Sequence, residues 1–283
     1  MAVVVTSVDA FSPPPPSSQY RALLSSCLTT TATTPPPASS STASSLLAAA
    51  SNNAVDDKTE VRDYFNNEGF NRWNKIYSDS DEVNTVQLDI RKGHDMTIAK
   101  IIDWISDDGD IDGKTVCDCG CGVGSLAIPL ARMGAIISAS DISSAMVDEA
   151  ARRAAELGIG NSNAVFYASD LESVSGRYDT VTCVDVAIHY PTDKMAQMVG
   201  HLCGLADERV MISFAPRTWY YEILKKIGEF FPGPSKTTRA YLHDEAVVRE
   251  ALSKAGFKVA REEMTGTSFY FSRLLEAKRV SGE

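Results

Sequence analysis

Three acids, three glycines and one histidine carry the chemistry that can be read from this chain. Asp118-x-Gly120-x-Gly122-x-Gly124 follows the β-rich run that starts at Thr115. Glycines at alternate positions after a strand predict a tight turn whose backbone comes close to a ligand. Asp141 stands 23 residues further on (141 − 118), at the end of the next apolar run, and Asp170 follows a third, in Ser169-Asp170-Leu171. A carboxylate at the second strand end can accept hydrogen bonds from both hydroxyls of a ribose. One after the third can accept the amino group of an adenine. His189, in Asp185-Val-Ala-Ile-His189-Tyr-Pro191, falls just past a fourth apolar run, where a second substrate would meet the first.

The elements that must hold these residues alternate. Strands are expected at Thr115–Asp118, Ala135–Asp141, Ala164–Ala168, Tyr178–Val186 and Arg209–Phe214. Between and after them come helices at Ser125–Met133, Ser143–Leu157, Asp193–Leu205 and Asp244–Lys254. Two further β-rich runs, Lys258–Met264 and Ser268–Ala277, flank Thr-Gly-Thr and read as a hairpin. The expected fold is therefore α/β: a Rossmann-like sheet, mostly parallel, closed by a C-terminal antiparallel hairpin.

Two cofactor classes compete for such a sheet. Gly122-Val-Gly124-Ser-Leu-Ala127 satisfies the dinucleotide pattern G-x-G-x-x-A, with Asp141 near the expected ribose acid. Asp118, however, would repel a pyrophosphate, and Asp170-Leu171 has no role in that fingerprint. The acid–glycine run resembles the first motif of class I S-adenosylmethionine methyltransferases, whose cofactor brings an ammonium and a sulfonium instead. On this reading Asp118, Gly120, Cys121, Gly122, Asp141, Ile142, Asp170, Leu171 and Asp185 form the cofactor site.

Residues 1–55 are a different material, rich in Ser, Thr, Ala and Pro with one acid, Asp9, and one base, Arg21. Such a stretch cannot bury enough apolar surface to offset its ordering entropy. Its Ser-rich, acid-poor make-up suits a chloroplast transit peptide. Residues 56–113 read as an N-terminal helical arm, with a long helix from Val86 to about Ile105. A lid made by this arm would bring Tyr64, Tyr77, Arg91 and His94 to a substrate. The core spans 114–214, a cap insertion 215–243, and the last helix and hairpin 244–283. In the cap, Trp219, Tyr220, Ile223, Leu224, Ile227, Phe230 and Phe231 make an apolar stripe at helical spacing, suited to a flat substrate or a membrane surface. Arg217, Lys236 and Arg239 flank it and could pair with substrate carboxylates.

Composition narrows the partners. A net charge of −10 over 283 residues argues against a nucleic-acid partner. Six cysteines do not make a disulfide scaffold at this length, and Cys117-x-Cys119-x-Cys121 lacks zinc-ligand spacing, so no metal site is expected. These thiols and Cys183 read as buried small residues, with oxidation that blocks the cofactor as the alternative. No apolar run approaches the roughly 20 residues that span a bilayer.

Four stretches give a more specific resemblance: Asp57-Lys-Thr-Glu-Val-Arg-Asp-Tyr-Phe-Asn66, Gly69-Phe-Asn-Arg-Trp-Asn-Lys-Ile-Tyr77, Val86-Gln-Leu-Asp-Ile-Arg-Lys-Gly-His94 and Val116-Cys-Asp-Cys-Gly-Cys-Gly-Val-Gly-Ser-Leu-Ala-Ile-Pro129. From about residue 56 to the end, the chain resembles the magnesium-protoporphyrin IX O-methyltransferases of chlorophyll biosynthesis. Cys119 departs from the commoner small or aliphatic residue between the acid and the first glycine. The resemblance implies S-adenosylmethionine as donor and a propionate of magnesium protoporphyrin IX as acceptor. It implies catalytic roles for an arm tyrosine and a histidine after the fourth strand, which match Tyr77 and His189. It also implies handover from the H subunit of magnesium chelatase and a peripheral place on thylakoid and envelope membranes of the chloroplast. The alternatives are a plastid methyltransferase for a quinone or phenol and, further off, an NAD(P)-dependent dehydrogenase.

Overall fold

The computed structural model describes residues 57–77, 83–217 and 241–280. The expected leader at 1–55 and most of the cap, with Trp219, Tyr220 and Arg239, lie outside the described residues. Seven strands form one sheet: β1 (Thr115–Cys119), β2 (Ile136–Asp141), β3 (Ala164–Ala168), β4 (Tyr178–Cys183), β5 (Ala206–Phe214), β6 (Phe257–Gly266) and β7 (Phe271–Arg279). Their order is β3-β2-β1-β4-β5-β7-β6. The first five strands pair in parallel, and β7 inserts antiparallel between β5 and β6. That closing hairpin is the feature that departs from a dinucleotide-binding sheet continued in parallel.

Alternation along β1 assigns its side chains to two cores. Val116 packs with Ile98, Ile101 and Ile105 of helix α3 (Thr85–Asp108) and Leu130 of α4 (Ala127–Arg132). Cys117 and Cys119 face the opposite side, with Met195, Val199 and Leu202 of α6 (Met195–Leu205) and Leu252 of α7 (Glu245–Lys254). Helix α5 (Ser144–Glu156) covers β2 and β3, capped by Ser143, whose hydroxyl accepts from Met146 N. Helix α3 begins with a capping box between Asn84 and Gln87 and ends at Gly109, φ 64°.

Two differences from the sequence expectations have local causes. Helix α4 begins at Ala127 rather than Ser125, which places Pro129 in the first turn, where a missing N–H costs nothing. Strand β4 stops at Cys183, three residues short of the expected Val186, because the backbone turns sharply at Asp185.

The arm contributes α1 (Asp57–Asn66) and α2 (Glu68–Ile76). Both are too short to be stable helices alone. The core holds them by hydrogen bonds. Arg153 donates to Tyr77 O (2.8 Å) and Asn74 Oδ1 (2.6 Å), and Ser143 Oγ lies 2.9 Å from Asn66 Oδ1. Arg91 of α3 donates to the carbonyls of Ile76 (2.6 Å) and Lys75 (2.8 Å), capping the orphan end of α2. Among the described residues, no helix is long and apolar enough to cross a membrane.

Candidate active site

The glycine turn is built onto the end of β2. Gly120 N and Cys121 N both donate to Ser140 O, at 2.7 and 2.9 Å. Asp141 accepts from Gly122 N through Oδ2 (3.0 Å) and from Ser143 N through Oδ1 (2.9 Å). The carboxylate keeps lone-pair capacity for another donor, such as a ribose hydroxyl. Gly120 has φ 81°, and a Cβ there would stand 2.1 Å from Val186 Cγ2. Over Gly122, φ 52°, a Cβ would meet nothing within 4 Å. The first glycine is needed for packing, and the second faces open space that a ligand can fill.

Asp118 lies beneath this turn, 2% exposed, with Oδ1 accepting from Thr182 Oγ1 (2.8 Å) and Oδ2 without a partner. Burial pushes its carboxyl up to about 6, against the Thr182 hydrogen bond and with help from the Asp141 charge. Burial also raises Asp141, opposed by the backbone N–H groups of Ser143, Gly122 and Ile142. A cation placed here would relieve both acids. A donor carrying an ammonium and a sulfonium fits that need, and a pyrophosphate would not.

Asp185 organises the other wall. It holds a left-handed backbone, φ 60°, which Ser213 fixes from both sides. Ser213 Oγ accepts from Asp185 N (2.8 Å) and donates to Oδ1 (3.0 Å). The carboxylate also accepts from Tyr270 Oη, 2.9 Å from either oxygen, and from His94 Nδ1 at 2.7 Å. Burial alone would raise Asp185, but the His94, Tyr270 and Ser213 contacts outweigh it and hold the carboxyl below the usual range. With Nδ1 committed to Asp185, Nε2 of His94 is buried without a partner.

Tyr77 lies over His94, ring centroids 4.4 Å apart, and against Trp73 at 5.4 Å. Burial and then the charges of Asp185, Asp95 and Asp141 raise its phenol well above the ordinary value. His189 ends a short 3₁₀ turn, Ala187–His189, and meets Phe65 edge-on at 5.2 Å. Burial, opposed by the Asp185 charge, lowers it to about 4. Both are uncharged at neutral pH.

One cavity of about 340 Å³ gathers most of the expected residues: Tyr77, His94, Gly120, Cys121, Gly122, Asp141, Ile142, Leu171, Asp185 and His189 all line it. Asp118 sits below. Asp170 is not on that wall; its carboxylate caps the turn Leu171–Ser173 by accepting from Ser173 N (3.1 Å). Arg91 caps α2, so its effect on the cavity runs through the position of Tyr77. Arg217 is exposed at the edge of the described residues, its N–H donating to His243 O (2.7 Å).

Sequence reasoning missed Tyr270, Phe65, Arg72 and Trp73 as lining residues. Tyr270 is 85 positions from Asp185, and nothing local marks it beyond an aromatic beside a turn. The other three share the short amphipathic arm, where Arg72 stands at an inward helical position that could have been noticed. The five described cysteines are buried, with Cys117 Sγ and Cys119 Sγ 3.5 Å apart. Their mutual hydrogen bond and burial raise Cys119, and burial raises Cys121 and Cys183, which keeps those thiols protonated and unreactive.

Sheet order, glycine turn and acidic strand ends define a class I S-adenosylmethionine-dependent methyltransferase. A general methyltransferase-domain model matches residues 116–206, and the model of the magnesium-protoporphyrin IX methyltransferase C-terminus matches residues 183–279. The chloroplastic magnesium protoporphyrin IX methyltransferase of Arabidopsis thaliana is 56% identical over 221 residues, covering 78% of this chain and 71% of that protein. The magnesium-protoporphyrin O-methyltransferase of Synechocystis is 54% identical over 226 residues, covering 80% and 98%. A crystal structure of the Synechocystis magnesium protoporphyrin IX methyltransferase with bound SAH superposes with a TM-score of 0.73 at 52% identity. It covers 79% of this chain and all of that one. The chain belongs to the magnesium-protoporphyrin IX methyltransferase family.

Proposed function

We infer that the chain transfers the methyl group of S-adenosylmethionine to a propionate carboxylate of magnesium protoporphyrin IX, giving the monomethyl ester, and that Tyr77 and His189 hold that carboxylate. One observation carries the placement: a single cavity has the glycine turn on one wall and Tyr77 and His189 on another. Asp118, Asp141 and Asp185 would hold the donor, with Gly120, Cys121, Gly122, Ile142 and Leu171 shaping its bed.

S-adenosylmethionine supplies an electrophilic methyl on a sulfonium. A propionate is already ionised at neutral pH, so the chain need not remove a proton. It needs a grip that leaves the carboxylate anionic. Tyr77, its phenol raised, offers an O–H that does not give up its proton. His189, lowered to about 4, offers a neutral imidazole. Neither neutralises the attacking oxygen. Carboxylate and sulfonium lose their charges together in the reaction, so the apolar walls of Phe65, Trp73 and Leu171 favour it by excluding water.

The test is methyl transfer from labelled S-adenosylmethionine to magnesium protoporphyrin IX by wild type, His189→Ala and Tyr77→Phe. Each substitution should lower kcat by about 10- to 100-fold, with donor affinity unchanged. Wild-type turnover in both variants at saturating acceptor would remove the assignment, and transfer to a quinone alone would replace the acceptor.

The chain works in the chloroplast, the compartment of its Arabidopsis relative. Residues 1–55 are read as its transit segment and 56–283 as one methyltransferase domain. A peripheral site on thylakoid and envelope membranes and handover from the H subunit of magnesium chelatase complete the proposal. The apolar cap stripe supports it, with Arg217, Trp219, Tyr220 and Arg239 as acceptor contacts beside His94, and with Arg91 holding the end of α2 that carries Tyr77.

A further inference from the structure

We propose that Arg72, with Trp73 beside it, recognises the second carboxylate of the acceptor, the propionate that is not methylated. The proposal rests on the reading that the arm closes over the porphyrin. Gly69, Arg72, Trp73 and Ile76 recur at three- and four-residue steps and so share one face of α2. That face turns inward: Gly69 is buried and Ile76 is fully buried. A guanidinium on such a face is costly unless something answers it.

Among the described residues, none accepts a hydrogen bond from its Nε. Nε of Arg72 and Nε1 of Trp73 are both buried without a hydrogen-bond partner, and so is the Tyr64 hydroxyl. The three belong together. Tyr64 lies over Gly69, where a Cβ would stand 2.7 Å from its ring, and the Arg72 guanidinium carbon is 6.0 Å from the Trp73 ring centroid. All three residues line the cavity that His189 lines. Arginine and indole N–H groups only donate, and a phenol can donate as well, so the missing partner is an acceptor. The permanent charge of arginine makes that acceptor an anion, and its forked geometry suits a carboxylate.

Two carboxylates could answer this description: the second propionate and the carboxylate of the donor's methionine. The first is favoured by where the charges lie. Asp118, Asp141 and Asp185 gather at the sheet wall, whereas these donors sit on the arm among Phe65, Trp73 and Tyr77, the surface a flat macrocycle would cover. The reacting propionate is a poor candidate, because an ion pair with Arg72 would blunt the nucleophile that Tyr77 and His189 leave anionic. Arg72 is thus a specificity-determining residue: it distinguishes a diacid from a monoacid.

The experiment compares wild type and Arg72→Gln on two acceptors: magnesium protoporphyrin IX, and its analogue with the non-reacting propionate converted to an amide. Wild type should lose about 10- to 100-fold in kcat/KM on the amide. Arg72→Gln should lose a similar factor on the diacid and then be indifferent to the amide. Calorimetric affinity for S-adenosylmethionine should be the same in both proteins, which also shows that the variant is folded. Arg72→Lys, keeping the charge without the fork, should recover part of the discrimination. If Arg72→Gln still discriminates as wild type does, the proposal is wrong. It is equally wrong if the variant loses donor affinity while the acceptor KM stays unchanged, which would assign Arg72 to the methionine carboxylate. Wild-type turnover of the diacid is the separate check on the reaction itself.

Discussion

The two walls of the cavity are built to different standards of completion. On the sheet side the glycine turn is tied to Ser140 and Asp141, and the Asp185 carboxylate has three side-chain partners. Its unmet atoms, such as Asp118 Oδ2 and His94 Nε2, are few and sit in a rigid frame. The arm side consists of two helices of ten and nine residues, held at their edges by Arg91, Arg153 and Ser143. Its inward polar atoms Tyr64 Oη, Arg72 Nε and Trp73 Nε1 have no hydrogen-bond partner among the described residues. A donor site finished in advance and an acceptor site finished by the acceptor should respond to mutation in separate ways. Changes on the sheet wall should appear in donor affinity, and changes on the arm in acceptor turnover and choice.

The strongest attempt to break this division is Gly120→Ala. The new Cβ would stand 2.1 Å from Val186 Cγ2 at φ 81°, and the stiff β-branched neighbour has little freedom to yield. Moving Val186 disturbs the segment between Asp185 and His189, so the turn should open instead. Calorimetry should show donor affinity down by about 100-fold or more, and Val186→Ala in the same chain should restore part of it. Unchanged donor affinity in Gly120→Ala would mean that the turn is not preformed.

Asp118→Asn sharpens the same comparison, because here affinity and stability should move in opposite directions. The folded carboxyl, at about 6, holds its proton more tightly than the unfolded one at about 4. Its contribution to stability is therefore complete below pH 4 and is lost as pH rises through 6. Asparagine keeps an oxygen for Thr182 and cannot ionise. The unliganded variant should be more stable than wild type at pH 7–8 by about 1–3 kcal/mol, and the gain should fade by pH 4 in thermal melts. Donor affinity should fall about 10-fold as the cation loses its counter-charge. A variant no more stable than wild type would show that Asp118 is compensated before the donor binds.

The same contrast explains what the sequence made legible. Asp118, Asp141 and the glycines were readable because each follows a strand by a fixed local step, and the parallel sheet converts that step into position. His189 was readable from its place just past the fourth strand and Tyr77 as one of four arm candidates, and the resemblance supplied their catalytic roles. Asp170 was placed after the third strand by the same step, and there its side chain caps the turn Leu171–Ser173 by accepting from Ser173 N. Tyr270 lay beyond reach, since its contact with Asp185 exists only once β7 has inserted beside β5. Arg91 could be seen as important without its object, because a helix cap across 15 residues leaves no periodic trace.

Tyr270 is also where the two walls meet, and so it offers the finest test. Its hydroxyl lies 2.9 Å from both Asp185 oxygens and 3.0 Å from Thr97 Oγ1. Its ring packs on Gly93, where a Cβ would stand 2.3 Å from Cδ1. Gly93 precedes His94, the residue under Tyr77. Tyr270→Phe keeps the ring and removes one of the hydrogen bonds to Asp185, leaving His94 and Ser213. A charge-assisted bond of that kind is worth about 1.5–3 kcal/mol, part of which the remaining partners recover. The expected loss is about 3- to 10-fold in kcat/KM, shared between donor KM and kcat because Asp185 borders the turn and steers His94. A loss confined to donor KM would place Tyr270 wholly on the sheet side. A loss confined to kcat would show that the arm senses Asp185 through His94 alone.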